Sequence, residues 1–579
     1  MARIRGVEIR GFRSIQSLHW FPMPGVNCLV GSGDSGKSTV LDAIDACLSP
    51  RRGMLFSDTD FYNLNVEKPI SIKITLGNLP DYLKDLDVYG EYLRSYDGIS
   101  DAIDDEPQKG DETVITIELQ VNADLEPVWR LYSDRTATLD PRSLPWKERW
   151  LLAPTRLGNH GSANLSWTRG SVLNRLSEDR VDVSLELLNA AREARDGFGE
   201  RAGIQLRNTL DIVTTTANSL GVSVGTSARA LLDAHAASFG EGAISLHSES
   251  GIPLRRLGTG SSRLLLAGLH RAAADTAQIV LVDEVEFGLE PHRLTRLLHS
   301  LGSKDNPSPL QVFMTTHSPV AVRELTGNQL HVLHNQGPTH IALLAGSSDE
   351  VQSTLRMDPE AFLAKTVIVC EGASEIGMVR GLDLYFSKQH SISLHSEGVA
   401  FVNANGGSPD KCLARAMAIG QLGYRVIALI DNDKAASLAE LSKFEAMGGS
   451  VITWPPGMAL EDVLFTAFPV ALTDQLLTRA MELLSEQTVD ADITTAAGLA
   501  LTSSQIWNAR QQTGDYSQAH RKILGAAARL RKKGWFKSIT KMEDLFGTII
   551  APQWNSGSTE FQKVINQLYD LARAPHAKP

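Results

Sequence analysis

Short apolar runs that stop abruptly at a glycine or a carboxylate recur along this chain of 579 residues. "GVNCLV" (25–30) predicts a buried strand, "GSGDSGK" a glycine-rich turn, and "STVLDAIDACL" an amphipathic helix. "AQIVLVDEVEFGLEP" (277–291) and "QVFMTTHSP" (311–319) each predict a further buried strand that ends on polar side chains. Just before the first of these, "RRLGTGSSRLLLAGLHRAA" (255–273) reads as a Gly/Ser turn opening a helix. Between 65 and 150, "ISIKITLGNL" and "TVITIELQVN" predict more strands. Residues 176–240 read as helical, with too few sustained heptads for a long coiled coil, and form either a short dimerisation arm or a plain helical layer.

Near residue 361 the pattern changes to a repeated unit of strand, turn and helix. "KTVIVCEGASEIGMVRGLDLYF" (365–386) ends its strand at Glu371, with Glu375 about one helical turn on. "GVAFVNANGGSPDKCLARAMAIG" (398–420) turns at Gly406 and Gly407, and "RVIALIDNDKAA" (425–436) ends its strand at Asp431 and Asp433. "SVITWPPGMALEDVLF" (450–465) gives a strand, a proline-rich turn and Glu461 beside Asp462. Residues 466–528 read as a helical insertion. "RLRKKGWFKSITK" (529–541) follows, in which Trp535 and Phe536 read as core anchors.

Composition narrows the classes. The length implies several domains rather than one core. No stretch approaches the roughly eighteen apolar residues of a membrane span, and "MARIRGVEIRGF" lacks the apolar core of a signal peptide. Cys28, Cys47, Cys370 and Cys412 form no CxxC pair, which argues against a zinc ribbon or a disulfide framework and fits a cytoplasmic protein. The net charge of −11 does not advertise nucleic-acid binding. His520–Lys541, however, carries eight Lys and Arg and no acid, which reads equally as a local patch able to hold a polyanion or as a solvated helix face.

The first glycine-rich turn matches GxxxxGK[ST] at Gly31, Gly36, Lys37 and Ser38, with Gly33, Asp34, Ser35 and Thr39 completing the loop. Backbone N–H groups of such a loop close around phosphates, Lys37 reaches the β/γ-phosphates of ATP, and Ser38 ligates Mg²⁺. Asp283 would hold the same Mg²⁺ and Glu284 would polarise the attacking water. His317 stands where a strand-end histidine senses the γ-phosphate, although an ordinary strand-end residue is the bland alternative. This order of motifs resembles the ABC class of ATPases, and "IRGVEIRGFRSI" its SMC and RecF-like branch. The resemblance makes Gly260 and Ser261 signature residues, with Gly258 where the usual serine stands. Signatures of that class act in trans, so the resemblance implies a homodimer or higher homo-oligomer.

Parallel α/β units gather ligand sites at the carboxyl ends of their strands. The pattern therefore predicts an acidic cluster of Glu371, Asp431, Asp433 and Glu461, with Glu375 at its rim. Carboxylates without nearby His or Cys favour Mg²⁺ or Mn²⁺ over zinc. The strand-Glu-Gly, strand-Asn-Gly-Gly and strand-DxD series resembles the Toprim domain, and an ABC-type ATPase followed by Toprim resembles the OLD (overcoming lysogenisation defect) family of nucleases, Gabija-type nucleases included.

The resemblance implies an ATP-binding DNA endonuclease of phage defence or DNA processing. Two divalent metals would sit on Glu371, Glu375, Asp431, Asp433 and Glu461, and a late basic residue, Lys537 or else Lys533, would stabilise the transition state. It also admits a helicase partner. The expected fold is α/β: an ABC-type ATPase (1–175 and 246–360) with a helical dimerisation insert (176–245), then Toprim (361–579) with the insertion at 466–528. The rival reading is an SMC/RecF-like DNA-repair ATPase whose C-terminal domain binds DNA without cutting it.

Overall fold

A computed structural model describes residues 2–50, 54–136, 142–157, 204–219, 225–228, 246–273, 279–390, 393–530 and 534–574, with isolated residues between 172 and 194. The expected dimerisation insert lies mostly outside the described residues. Within it, the helix Arg207–Ser219 is formed.

The first half is built on one sheet. Its strands are β1 (Arg3–Phe12), β2 (Ile15–Trp20), β3 (Val26–Val30), β4 (Ile70–Gly77), β5 (Leu93–Tyr96), β6 (Ile103–Asp104) and β7 (Glu112–Val121). They continue with β8 (Pro127–Tyr132), β9 (Thr155–Arg156), β10 (Ile279–Val282), β11 (Gln311–Thr315), β12 (Leu330–Gln336) and β13 (Thr339–Leu344). The order is β6-β5-β7-β4-β1-β2-β13-β12-β3-β11-β10-β9, with β8 beside β7. The β6-to-β2 side is antiparallel, and β12, β3, β11, β10 and β9 run parallel. Continuous apolar runs explain the parallel part: β3, β10 and β11 are buried along their whole length, as strands covered on both faces must be. Their carboxyl ends lie together, and the P-loop, the Asp283–Glu284 pair and His317 follow from them, whereas Gly260 and Ser261 open the helix Thr259–Ala272 ahead of β10.

The second sheet holds β14 (Thr366–Cys370), β15 (Val399–Asn403), β16 (Arg425–Ile430) and β17 (Ser450–Thr453), in the order β15-β14-β16-β17, all parallel. Alternation along β14 divides its two faces. Val367 and Val369 join a core that also contains Val26, Val280 and Val312 of the first sheet, so the two halves share apolar packing. Ile368 and Cys370 face a second core, closed by the late helices through Leu472, Ile493, Ile506 and Leu524. The 466–528 segment thus supplies the cover of one sheet face. A polar contact also joins the halves, between His334 Nε2 on β12 and the Leu422 carbonyl ahead of β16, at 2.6 Å.

Two helices meet unusually closely in the second core. The helix Ala373–His390 starts beside Glu371 and carries Glu375 in its first turn. The helix Ile539–Leu545 starts two residues after Lys537. Gly377 and Gly381, four apart and so on one helix face, let the second backbone approach: a Cβ at Gly381 would sit 2.5 Å from the Glu543 carbonyl oxygen. All four cysteines are free and buried, as their scatter implied.

Candidate functional site

The nucleotide loop leaves β3 and enters the helix Lys37–Leu48 through Gly36, which sits at φ 87° as its N-cap. Gly31, at φ 138°, lies so near β12 that a Cβ there would be 2.5 Å from the Leu333 oxygen. Both positions demand glycine. Lys37 folds back onto its own loop, donating to the Gly31 and Ser32 carbonyls at 3.1 and 2.7 Å and to Ser35 Oγ at 3.3 Å. Burial lowers its ammonium pKa, against the opposing pull of Asp34 and Asp283. Ser38 Oγ donates to Asp283 Oδ1 at 3.0 Å, and Thr315 Oγ1 donates to the same oxygen at 2.6 Å. The Ser38 and Asp283 pair expected to share a cation is therefore in contact. Gly33 and Asp34 stand open at the loop tip, and Thr39 lies 3.2 Å from Ser14 across the β1–β2 turn.

Glu284 takes a left-handed backbone, φ 46°, with its N–H donating to Thr315 Oγ1. His317 is exposed, and its N–H donates to Glu286 Oε1 at 2.8 Å. Gly260 packs on the loop beyond Glu284, where a Cβ would lie 2.5 Å from the Gly288 oxygen. Ser261 Oγ accepts from Arg293 at 3.2 Å.

Two arginines unnoticed in the sequence complete this region. Arg263, only 4% exposed, donates to the carbonyls of Asp283, Glu284 and Phe287, each at 2.9 Å, and so fixes the loop that carries both carboxylates. Arg156, at the end of β9, pairs with Asp42 at 2.6 Å and reaches Asp283 at 3.8 Å. An isolated arginine carries no sequence signature for either role. Arg263 lies two residues after Ser261 in a helix whose next residues are leucines, and only the structure shows it buried.

At the carboxyl ends of the second sheet, Glu371, Asp431, Glu375 and Glu461 are brought together. The Asp431 N–H donates to Glu371 Oε2 at 3.0 Å, Leu460 N–H to Asp431 Oδ1 at 3.0 Å, and Gly372 N–H to Glu375 Oε2 at 2.8 Å. Ser374 Oγ donates to Glu461 Oε1 at 3.2 Å. Burial pushes Asp431 up to about 9, with Glu375, Glu461 and Glu371 adding repulsion. Burial and Glu461 likewise push Glu375 up to about 7. Glu371 and Glu461 are also raised, chiefly by burial.

The expected positions of two acids are exchanged. Glu375 is 3% exposed and interior, because its helix starts against the sheet. Asp433 is the exposed member at the rim, where its strand has already ended. Lys537 is exposed, and its charge bears on both Glu371 and Glu461. Lys533 lies outside the described residues. Trp535 and Phe536 are core residues, 1% and 0% exposed. Arg529 contacts Asp433 and Asp462, both at 3.3 Å. In the sequence Arg529 is one of the basic run, and nothing there marks its partners.

Among the described residues, no three carboxylate, His or Cys side chains are arranged as they stand to hold a metal ion. One oxygen of each acid is instead turned to a protein donor. The donor set nevertheless fits a hard divalent cation. Four carboxylates that repel one another, Glu375 and Glu461 buried and Glu371 and Asp431 half-buried, lose that repulsion when such an ion neutralises them.

Residues 362–433, which include Glu371, Glu375, Asp431 and Asp433, match the family described as "Overcoming lysogenization defect protein-like, TOPRIM domain". Residues 131–323 match "AAA domain, putative AbiEii toxin, Type IV TA system". The chain has the ATPase–TOPRIM architecture of the OLD family. The ATPase match begins beyond the P-loop, so that loop rests on its own motif and geometry. No curated protein matches the chain.

Similar solved structures include the Smc head domain with an extended coiled coil bound to the C-terminal domain of ScpA, from Pyrococcus furiosus. It is 14% identical, covers 59% of this chain and 96% of its own, and has a TM-score of 0.31. The Smc head domain of Pyrococcus yayanosii (12%, 61% and 99%, TM-score 0.33) and the recombination mediator protein RecF (14%, 59% and 98%, TM-score 0.31) overlap similarly. Overlaps this low leave function to be argued from the site.

Proposed function

We propose that this chain is a divalent-metal-dependent DNA endonuclease whose TOPRIM site cuts phosphodiesters under control of its ATPase. An ATPase and an OLD-like TOPRIM domain in one chain support an ATP-dependent nuclease in general. The observation that carries the finer reading is the group of buried and half-buried, mutually repelling carboxylates at the ends of β14 and β16 and at the start of the helix Leu460–Thr466.

Two Mg²⁺ or Mn²⁺ ions bound by Glu371, Glu375, Asp431, Asp433 and Glu461 would supply Lewis acidity for in-line displacement at phosphorus. Glu371 and Asp431 are oriented by backbone N–H groups, which keeps them at the strand ends when the site fills. Lys537, in the turn just ahead of the helix Ile539–Leu545, acts on Glu371 and Glu461 through its charge and would neutralise charge on the phosphate as it develops. In the ATPase, Lys37 would exchange its loop carbonyls for phosphate oxygens. Ser38 with Asp283 would hold the accompanying Mg²⁺, and Glu284 would orient water. Gly260 and Ser261 would face nucleotide on a second copy, giving a homodimer or larger homo-oligomer, and His317 would report the γ-phosphate. A role in phage defence or DNA processing follows from the OLD-family resemblance, which also admits a helicase partner. No helix among the described residues is long and apolar enough to cross a membrane.

Binding and cutting separate this reading from a repair ATPase that only holds DNA. With labelled duplex, Asp431→Asn should retain binding and lose cleavage, and Lys37→Ala should change cleavage through the lost nucleotide. A wild-type protein that binds DNA, hydrolyses ATP and never cuts it would favour the repair ATPase.

A further inference from the structure

The helix Gln518–Arg529 comes unusually close to the helix Leu460–Thr466. A Cβ at Gly525 would sit 2.8 Å from both Cα and Oδ1 of Asp462, so glycine is what permits the approach. Arg529 follows four residues later on the same face. Its Nη1 lies 3.3 Å from Asp462 Oδ2 and 3.3 Å from Asp433 Oδ2. Asp462 is itself fixed, since its Oδ2 also accepts the Ala459 N–H at 3.0 Å at the start of its helix. One guanidinium thus bridges a buried, anchored aspartate that belongs to no expected ligand set and the exposed aspartate of the DxD pair. The other acids of the cluster use neutral donors, whereas Asp433 is held by a full positive charge.

We propose that Arg529 is a positioning residue that competes with a divalent cation for Asp433. The inference rests on the nuclease reading above. The guanidinium neutralises Asp433, and Asp462 holds Arg529 beside it. A cation entering at Asp433 must displace that nitrogen, and the freed arginine remains tethered next to the site through Asp462. The competition lowers the apparent metal affinity of the resting chain, so the cluster does not fill at low cation concentration.

The test is direct Mn²⁺ binding to the full chain without nucleotide, read by electron paramagnetic resonance of free Mn²⁺, with thermal melting as a folding control. Arg529→Gln removes the competing charge and keeps a polar, unbranched side chain able to hydrogen-bond. It should bind Mn²⁺ about two- to five-fold more tightly than wild type, the range expected from one partly exposed ion pair. Arg529→Lys keeps the charge and should stay within about two-fold of wild type. In an Asp433→Asn background the gain from Arg529→Gln should vanish, because the pair no longer exists. Unchanged or weaker Mn²⁺ binding in a folded Arg529→Gln protein, beside a wild type that does bind, overturns the competition and leaves the nuclease reading intact. No Mn²⁺ binding by wild type, Arg529→Gln or Asp431→Asn alike overturns both.

Discussion

Replacing Gly381 by alanine tests whether helix packing sets the distance between the carboxylates and Lys537. The added Cβ would lie 2.5 Å from the Glu543 oxygen, 2.8 Å from Phe546 Cβ and 2.9 Å from the Gly547 nitrogen. Ordinary contact begins at 3.4 Å, so the helices must part by 3.4 − 2.5 = 0.9 Å at the carbonyl. Two of these atoms are backbone and the third is a Cβ, so no rotamer change relieves the clash. Overpacking of this kind costs about 1–3 kcal/mol, and the better helix propensity of alanine returns about 1 kcal/mol. A net loss of up to about 2 kcal/mol leaves a folded protein. The functional effect should be larger, because a displacement of about 1 Å between catalytic groups can cost on the order of 100-fold in rate. The assay is plasmid cleavage beside ATP hydrolysis and a melting curve. Cleavage should fall by at least about tenfold while ATP hydrolysis, on the other sheet, stays near wild type. Gly381→Ala cleaving at the wild-type rate with an unchanged melting curve would refute the idea that this crossing positions Lys537.

Two further outcomes follow from burial. Arg263→Ala leaves three carbonyls of the Asp283–Phe287 loop without their donor. It should cost about 3 kcal/mol, lower ATP hydrolysis by at least about tenfold and spare metal binding at the TOPRIM site; unchanged hydrolysis would remove Arg263 from the account. In EDTA, Asp431 and Glu375 keep protons that the unfolded chain releases above about pH 4. The folded state then binds more protons, so their contribution to stability is fully present below that pH. It is lost as pH rises through about 7 for Glu375 and about 9 for Asp431. Melting temperature in EDTA should therefore drop between about pH 6 and about pH 8.5, less so in Asp431→Asn, and added Mg²⁺ should narrow the drop; equal slopes in wild type and Asp431→Asn would contradict the raised carboxylate.

Much of this architecture was legible because its strands are short, apolar and closed by distinctive residues. "TVIVC" and "RVIALI" announced buried parallel strands, and the acids at their ends could only fall on one edge of the sheet. The P-loop was equally clear, since Gly31 and Gly36 occupy backbone conformations that glycine adopts most readily. What sequence could not supply was depth and distance. Glu375 lies inside and Asp433 outside because of where a helix begins and a strand ends, and neither appears in residue spacing alone. Arg156, Arg263 and Arg529 meet partners 20 to 127 residues away in the chain, as with Arg529 to Asp433 across 96 positions and Arg263 to Asp283 across 20. The Gly377 and Gly381 pair did carry a signal, glycine repeated at a four-residue interval within a helix, whose meaning depends on the helix that packs there.

The central claim is that the TOPRIM carboxylates cut DNA, and supercoiled plasmid tests it most directly. Wild type and Asp431→Asn, matched for folding, would be incubated with Mg²⁺ or Mn²⁺, with and without ATP, and with EDTA as control. The account predicts nicked or linear product from wild type only, dependent on the cation and absent from Asp431→Asn. Cleavage that persists undiminished in Asp431→Asn, or a wild type that hydrolyses ATP and binds DNA but leaves plasmid intact under every cation condition, would contradict it.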